Sequence, residues 1–117
     1  MSKAELYFGV MSGTSMDGID TVLVKFTKNN LELLDFNQQA YSDSFRKKLL
    51  SLCIPKKNDL EESYELGITH AELTVKSIKK MLKRNNLNYH TIKAIGYHGQ
   101  TIRHRPEKRF SIQIGNA

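Results

Sequence analysis

Apolar and polar residues alternate along the first part of the chain in the way that is typical of β-strands. Leu6, Phe8 and Val10 fall on one face of a strand over residues 5–11, because successive side chains of a strand point to opposite faces. Turn-forming residues follow this strand. A second apolar stretch over residues 20–27 then predicts a β-hairpin.

A third strand is predicted directly after the hairpin. A polar tip at residues 28–30 leads into an apolar pattern over residues 31–41. Leu33 and Leu34 are adjacent, which breaks the alternation and predicts either a change of face or a β-bulge.

Helical spacing replaces the alternation after the third strand. Ser42 or Asp43 is the predicted N-cap of a short helix that runs to Cys53 and that Pro55 ends. Asp59 is the predicted cap of a longer helix, whose apolar residues recur every three or four positions. These residues define the face that we expect to be buried: Leu60, Tyr64, Ile68, Ala71, Val75, Ile78 and Leu82.

Two further strands complete the predicted sheet. Residues 92–97 form an apolar strand that leads into His98 and Gly99, and residues 110–114 form another after a basic turn at residues 103–109. The order of three strands, two helices and two strands indicates an α/β fold with a mixed five-stranded sheet. One long helix covers one face of such a sheet at most. We therefore expect an exposed apolar face and an incomplete domain.

The composition fits one globular domain. The 117 residues are 39% hydrophobic and 26% charged, and no apolar run approaches the roughly 18 residues that span a bilayer. A single cysteine excludes an internal disulfide, and the N-terminal stretch lacks the layout of a signal peptide, so we expect a cytoplasmic location. The net charge of +6 leaves open an anionic partner, such as a nucleic acid, a nucleotide or an acidic membrane surface, and charge alone does not choose among them. Of these we expect a nucleotide, and neither a nucleic acid nor a membrane.

The first candidate for chemistry is the turn within G-V-M-S-G-T-S-M-D-G-I-D, residues 9–20. Its backbone N–H groups and the hydroxyls of Ser12, Thr14 and Ser15 suit an anion site, because Gly13 lets a phosphate approach the backbone closely. A plain hairpin turn is the alternative, and it stays open. A Walker loop is excluded, since the required Lys and Ser/Thr are missing after the second glycine and no helix follows.

The same turn contains two carboxylates. Asp17 and Asp20 stand three residues apart beside the hydroxyls, and they are candidate ligands of a hydrated Mg²⁺ ion, which proteins usually hold by one or two carboxylates plus phosphate oxygens. The alternative is an Asx-turn at Asp17 and a strand-end cap at Asp20. Spacing alone favours this structural alternative.

The second candidate is G-Y-H-G-Q-T-I-R-H-R-P, residues 96–106, where polar side chains follow an apolar strand. Such groups suit a polyhydroxyl ligand, because each can hydrogen-bond a hydroxyl or an amide. A metal site at the two histidines lacks a third ligand, and a structural histidine that caps a turn is an equal alternative. The candidate residues are His98, Gln100, Thr101, Arg103 and His104.

Taken together, V-M-S-G-T-S-M-D-G-I-D near the start and G-Y-H-G-Q-T-I-R-H-R-P followed by S-I-Q-I-G-N resemble the anhydro-N-acetylmuramic acid kinase family. The resemblance spans essentially the whole chain. It implies an actin/hexokinase-like ATPase domain of ribonuclease-H-like type, of which residues 1–117 are the N-terminal part of the first of two domains.

The resemblance also implies an ATP-dependent kinase of peptidoglycan recycling. In this family a water molecule opens the 1,6-anhydro ring of the sugar and the freed O6 takes the γ-phosphoryl group, in a full-length enzyme that we expect to be a homodimer. The water-activating aspartate would lie beyond Ala117. The first phosphate loop of the ATP site would consist of Gly13, Thr14, Ser15, Met16, Asp17, Gly18, Ile19 and Asp20. On the sugar side would lie His98, Gln100 and Thr101, and Mg²⁺ would be held through water by Asp17 and Asp20.

Two other function classes stay open. One is a non-catalytic interaction domain of the same fold, and the other is a small basic module that binds nucleic acid, for which no RNP, KH or zinc signature is present. Phosphoryl transfer depends on parts from several segments. We therefore expect no turnover from residues 1–117 alone.

Overall fold

The computed structural model describes residues 4–117. One sheet has two antiparallel ribbons, which are joined through a parallel pair in the middle. The strands are β1 (Glu5–Ser12), β2 (Gly18–Thr27), β3 (Asn30–Ala40), β4 (Ile92–Arg105) and β5 (Phe110–Ile114), and the α-helices are α1 (Asp43–Ser51) and α2 (Asp59–Arg84). The strand order is β3-β2-β1-β4-β5, with β1 parallel to β4. The predicted mixed five-stranded sheet with two helices is confirmed.

The irregularity predicted in the third strand is a β-bulge. Val24 of β2 pairs with Leu33, while Leu23 pairs with Asp35, so Leu34 is an extra residue in β3. A bulge of this kind restores the alternation of faces beyond it. The apolar residues on both sides of the bulge therefore share one face of the sheet.

The helix caps agree with the sequence at one helix and not at the other. Ser42 caps α1, and its Oγ accepts the N–H of Phe45 at 3.1 Å. The predicted cap of α2 at Asp59 is wrong, because Asn58 precedes the helix in the left-handed region without a side-chain cap. Asp59 is instead the first helical residue, and its carboxylate accepts a hydrogen bond from Arg103 that lowers its pKa.

The buried face of α2 also differs from the prediction. Leu60 and Tyr64 of the predicted face are 71% and 70% exposed. Ile78 of the predicted face is buried, as expected. The other buried residues lie roughly a quarter of a turn around the helix from the predicted stripe: Leu66, Gly67, His70, Thr74, Ser77 and Met81. Small and polar residues occupy much of this face, and two of them, His70 and Ser77, hydrogen-bond to the sheet, a role that hydrophobic periodicity does not detect. No helix within residues 4–117 combines the length and the apolar character that would cross a membrane.

The fourth strand is much longer than the predicted residues 92–97. β4 passes through Gly99, whose φ of +78° is in the left-handed region, and continues to Arg105. It pairs with β1 in its first part and with β5 from Gln100 onward. The first three residues of the predicted basic turn, 103–105, therefore belong to β4, and the chain turns at Pro106–Lys108 and Arg109 before β5 begins.

Both helices pack on one face of the sheet. The core is one buried cluster between the sheet and the helices. It contains Phe8, Ile19 and Leu23 of the sheet, Leu49 of α1, Leu52 directly after α1, and Met81 of α2. The opposite face stays open. Its exposed apolar residues, which we call the uncovered face, are Met11, Phe26, Leu31, Leu33 and Phe36. The expected exposed apolar face is confirmed.

We expect the 117-residue chain to self-associate through the uncovered face, because exposed contiguous apolar surface favours association. Leu33 is 62% exposed on the edge strand β3, and burial of one leucine contributes about 1.5–3 kcal/mol. The substitution Leu33→Lys should therefore raise the concentration at which association begins, as measured by sedimentation velocity.

The matched control is Ile54→Lys, which changes an exposed apolar residue in the loop after α1. It should leave association unchanged. A wild-type chain that stays monomeric at high concentration would contradict this prediction.

Candidate functional site

The turn between β1 and β2 consists of residues 13–17 and is held by its own backbone. The N–H of Met16 donates to the carbonyl of Gly13 at 3.2 Å. Met16 has a φ of 54° and is buried, so its side chain anchors the turn in the core. Gly18 follows where a side chain has no room, since a Cβ there would lie 2.5 Å from the backbone oxygen of Gln39. The predicted hairpin turn is confirmed, and β2 rather than a helix starts at Gly18.

The outer side of the turn carries backbone donors without partners. Thr14, Ser15 and Asp17 are exposed, and their N–H groups have no hydrogen-bond acceptor among residues 4–117. Successive free N–H groups in a turn form a concave site for anions. The turn therefore has the backbone arrangement that an anion site requires.

A guanidinium group lies against the same turn. Arg46 of α1 donates from Nε to the carbonyl of Met16 at 3.1 Å and toward the carbonyl of Ser15 at 3.4 Å. These contacts hold the two carbonyls on the α1 side and bring a positive charge to the turn. Sequence inspection missed this residue, because Arg46 is one member of a basic cluster in a surface helix.

The Ser12 hydroxyl does not belong to the anion site that the sequence suggested. Ser12 is 2% exposed, and its Oγ lies 2.8 Å from Nε2 of His70 and 3.1 Å from the hydroxyl of Tyr41. The side chain therefore points into the core beneath the turn. Of the three proposed hydroxyls, only those of Thr14 and Ser15 are exposed.

The two candidate carboxylates occupy different environments. Asp17 is exposed, and its backbone carbonyl accepts the N–H of Tyr41 at 3.0 Å. Asp20 is half-buried in β2, and its Oδ1 is a buried oxygen without a hydrogen-bond partner among the described residues. Neither the Asx-turn at Asp17 nor the cap at Asp20 appears among the hydrogen bonds of residues 4–117. A buried carboxylate oxygen without a donor fits a cation or a cation-bound water.

The residues of the second motif separate into an outer and an inner group. His98 is exposed and lines an open depression on the sheet together with Asp20 and Gly96. Thr101 is half-buried, and its Oγ1 accepts a hydrogen bond from Gln113 at 3.2 Å. Gln100 is fully buried, so the structure brings it beneath the turn rather than to an open surface.

Arg103 and His104 do not join this group. Arg103 donates to the carbonyl of Leu52 at 3.0 Å and to the carboxylate of Asp59 at 2.9 Å. It therefore connects β4 to the residue after α1 and to the first residue of α2. His104 is exposed, and residues 4–117 contain no cluster of three or more His, Cys, Asp or Glu side chains that could hold a metal.

Beneath the turn lies a buried polar network that the sequence did not reveal. His70 of α2 is 0% exposed, and its Nδ1 lies 2.6 Å from the hydroxyl of Tyr97. Burial lowers the pKa of His70 to about 4 and raises the pKa of Tyr41 to about 12. Both groups are therefore uncharged at neutral pH. In the sequence, only the histidine inside an amphipathic helix pointed to this network, and a single histidine is weak evidence for a buried polar network.

The chain matches one protein family along almost its whole length. The family model described as anhydro-N-acetylmuramic acid kinase matches residues 5–117. Relatives of that name share 40% identity over 111 residues in Acinetobacter baylyi, 39% over 119 residues in Vibrio vulnificus and 40% over 111 residues in Pseudomonas putida. These matches cover 95%, 100% and 95% of this chain, but 29%, 32% and 30% of the relatives. The chain thus spans about a third of the length of the curated relatives it matches.

We expect the free energy of unfolding to rise between about pH 4 and pH 6.5. The pKa of His70 falls by burial from 6.5 in the unfolded chain to about 4 in the folded one, so the unfolded state binds the additional proton in that interval. The stabilisation is complete above pH 6.5 and is lost as the pH falls through about 4. Tyr41 and Tyr97, which face the ring, have raised pKa values through burial and stay protonated there.

Urea denaturation at a series of pH values measures this dependence. One group contributes at most about 1.4 kcal/mol per pH unit, and His70→Gln should remove that part of the slope. An identical slope in the wild type and in His70→Gln would contradict the assignment.

Two glycines of the turn should respond differently to substitution. Gly18→Ala should lower the free energy of unfolding by about 2 kcal/mol or more, because the added Cβ meets backbone at 2.5 Å. Gly13→Ala is the matched control and should change it by less than about 1 kcal/mol, since the nearest atom to its Cβ is Oγ of Ser15 at 3.7 Å. Thermal denaturation followed by circular dichroism gives both values, and equal losses would refute the assigned packing.

Proposed function

The chain belongs to the anhydro-N-acetylmuramic acid kinase family, and from this premise we propose that residues 13–20 form the first phosphate-binding loop of an ATP site. The observation that carries the proposal is the exposed turn with free N–H groups at Thr14, Ser15 and Asp17. Free backbone donors bind phosphate oxygens without adding a competing charge. The guanidinium of Arg46 adds electrostatic attraction at the side of the turn.

The residues of the loop have distinct tasks in this proposal. Gly13 has no side chain and allows close approach of the phosphates, and Thr14, Ser15 and Asp17 donate backbone N–H groups. Met16, Gly18 and Ile19 are buried, so they support the loop from within rather than contact ATP. This division restricts direct contacts to the exposed half of the motif.

Mg²⁺ is the cation that fits the two carboxylates beside the loop. Asp17 is exposed, and Asp20 supplies the partnerless Oδ1. Carboxylates that hold Mg²⁺ through water are usual in ATP sites. When bound, the ion would neutralise charge on the phosphates. Asp17 and Asp20 would orient its water ligands.

We assign to the whole enzyme the reaction that its family name denotes. Water adds to the anomeric carbon of the 1,6-anhydro sugar, the bond from that carbon to O6 breaks, and O6 takes the γ-phosphoryl group of ATP to leave ADP. His98 and Thr101 are the candidates for the sugar side, with Gln100 beneath the loop. The water-activating aspartate, the homodimer of the complete enzyme and a cytoplasmic location belong to the same proposal.

Binding of Mg·ATP to the chain tests the role of the loop. We expect titration followed by amide NMR to shift the signals of Thr14, Ser15 and Asp17 first, because their N–H groups receive the phosphates. Gly13→Val should weaken binding about tenfold or more by blocking the approach of the phosphates, a loss that corresponds to one or two charge-assisted hydrogen bonds. Asp17→Ala should weaken binding in the presence of Mg²⁺.

The control is Thr69→Val, which introduces the same side chain at an exposed position of α2. It should bind as the wild type does. Shifts confined to a different surface, or no shifts at all, would refute the loop assignment. ATP-dependent formation of the 6-phosphosugar is the assay for the whole reaction, and efficient product formation by residues 1–117 alone would overturn the dependence on further segments.

A further inference from the structure

Five side chains form an unbroken line of hydrogen bonds beneath the phosphate loop. Oγ of Ser12 lies between Nε2 of His70 at 2.8 Å and the Tyr41 hydroxyl at 3.1 Å. The Tyr41 hydroxyl also lies 2.8 Å from Oε1 of Gln100. At the other end, the Tyr97 hydroxyl lies 2.6 Å from Nδ1 of His70. Because nearly all of these groups are buried, each bond requires a defined donor.

The direction of the line is fixed at Gln100. Its Nε2 donates to the carbonyl of Gly13 at 3.0 Å and to the carbonyl of Thr101 at 3.1 Å. The reverse orientation of the amide would set its oxygen against two carbonyl oxygens, so this orientation is determined. Oε1 can only accept, and the Tyr41 hydroxyl must therefore donate to it.

The remaining protons follow from this starting point. A phenol has one proton, so the oxygen of Tyr41 accepts from the hydroxyl of Ser12. Ser12 has then used its own proton, and its Oγ accepts from an N–H at Nε2 of His70. A neutral imidazole has one N–H, so Nδ1 accepts from the hydroxyl of Tyr97.

We propose that His70 is a positioning residue for the phosphate loop, and that it acts as the neutral Nε2–H tautomer through Ser12, Tyr41 and Gln100 on the carbonyl of Gly13. This inference rests on the proposed function for its consequence, namely nucleotide affinity. A donor at Nε2 sets the direction of every bond up to the first residue of the loop. Without it, Ser12 can donate to only one of two acceptors, and the line to Gly13 loses its order.

The unmodified chain provides a test that needs no substitution. Nitrogen-15 correlation spectra of the histidine rings identify which ring nitrogen of His70 carries the proton. We expect a single neutral species with the proton on Nε2. A proton on Nδ1, or a mixture of tautomers, would overturn the proposal whether or not the chain binds ATP.

Two substitutions separate the two ends of the imidazole. The amide nitrogen of glutamine reaches the place of Nε2, so His70→Gln keeps the bond to Ser12 and loses the one to Tyr97. The amide of asparagine reaches the place of Nδ1, so His70→Asn keeps the bond to Tyr97 and loses the one to Ser12. We expect His70→Asn to weaken Mg·ATP binding about tenfold and His70→Gln by less than about threefold, on the scale of one buried hydrogen bond left unmade.

Ser77→Ala is the control for general destabilisation. Ser77 is a buried residue of α2 that hydrogen-bonds to Asn37 and Thr21, away from the loop. It should lower the melting temperature as the His70 variants do and leave nucleotide affinity unchanged. Equal losses of affinity in His70→Asn, His70→Gln and Ser77→Ala would show a merely structural role and would overturn the proposal.

Failure of the proposed function has a different signature. If the wild type shows no Mg·ATP shifts, the phosphate role fails, while the effect of His70 on the loop remains measurable in the free chain. The amide signals of Gly13, Thr14 and Ser15 should then still differ from wild type more in His70→Asn than in His70→Gln. The opposite order would contradict the positioning role.

Discussion

The hydrogen bond between Ser12 and His70 connects β1 to α2, and the bonds that continue from it connect both to β4. The position of the turn depends on these three elements. Ser12 is the last residue of β1, His70 lies in the middle of α2, and the bond continues through Tyr41 to Gln100 of β4. The parallel pairing of β1 with β4 brings Ser12 beside Gln100 in the first place. A buried polar chain is stable only when every member has a partner. The turn above it therefore inherits a defined position from the core.

This dependence explains why the exposed half of the turn needs no bonds of its own. The carbonyl of Gly13 is held by Met16 and Gln100, and the carbonyls of Ser15 and Met16 are held by Arg46. Because these carbonyl groups are hydrogen-bonded within the protein, the turn keeps its shape while its exposed N–H groups remain without partners. A site that is ordered before its ligand arrives loses less conformational entropy on binding. The same turn would be a weak anion site if it were mobile.

The sequence predicted the sheet better than it predicted the faces of its elements. Alternation identified the strands, and the adjacent Leu33 and Leu34 indicated the bulge that is present. The apolar stripe of α2 gave the wrong buried face, because His70 and Ser77 are buried by hydrogen bonds rather than by hydrophobicity. The length of β4 was also missed, because a glycine after an apolar strand pattern usually indicates the end of the strand. Gly99 instead has a positive φ within β4, and the strand continues beyond it.

The candidate site shows the same limit. Small residues and glycines between two strands were enough to identify the turn. The sequence does not show, however, whether a serine side chain in such a turn points outward or into the core. Ser12 and Gln100 support the turn from beneath, and only long-range contacts reveal this: Ser12 bonds to His70 of α2, and Gln100 bonds to the carbonyl of Gly13. The uncovered face is exposed among residues 4–117. The relatives are about three times as long as the stretch that they share with this chain.

A crystal structure of the chain with Mg²⁺ and a non-hydrolysable ATP analogue tests the central claim most directly. The account predicts phosphate oxygens about 3 Å from the backbone nitrogens of Thr14, Ser15 or Asp17, with Oγ of Ser12 still bonded to Nε2 of His70. A phosphate bound elsewhere, or a Ser12 hydroxyl that has turned outward to contact it, would contradict the account.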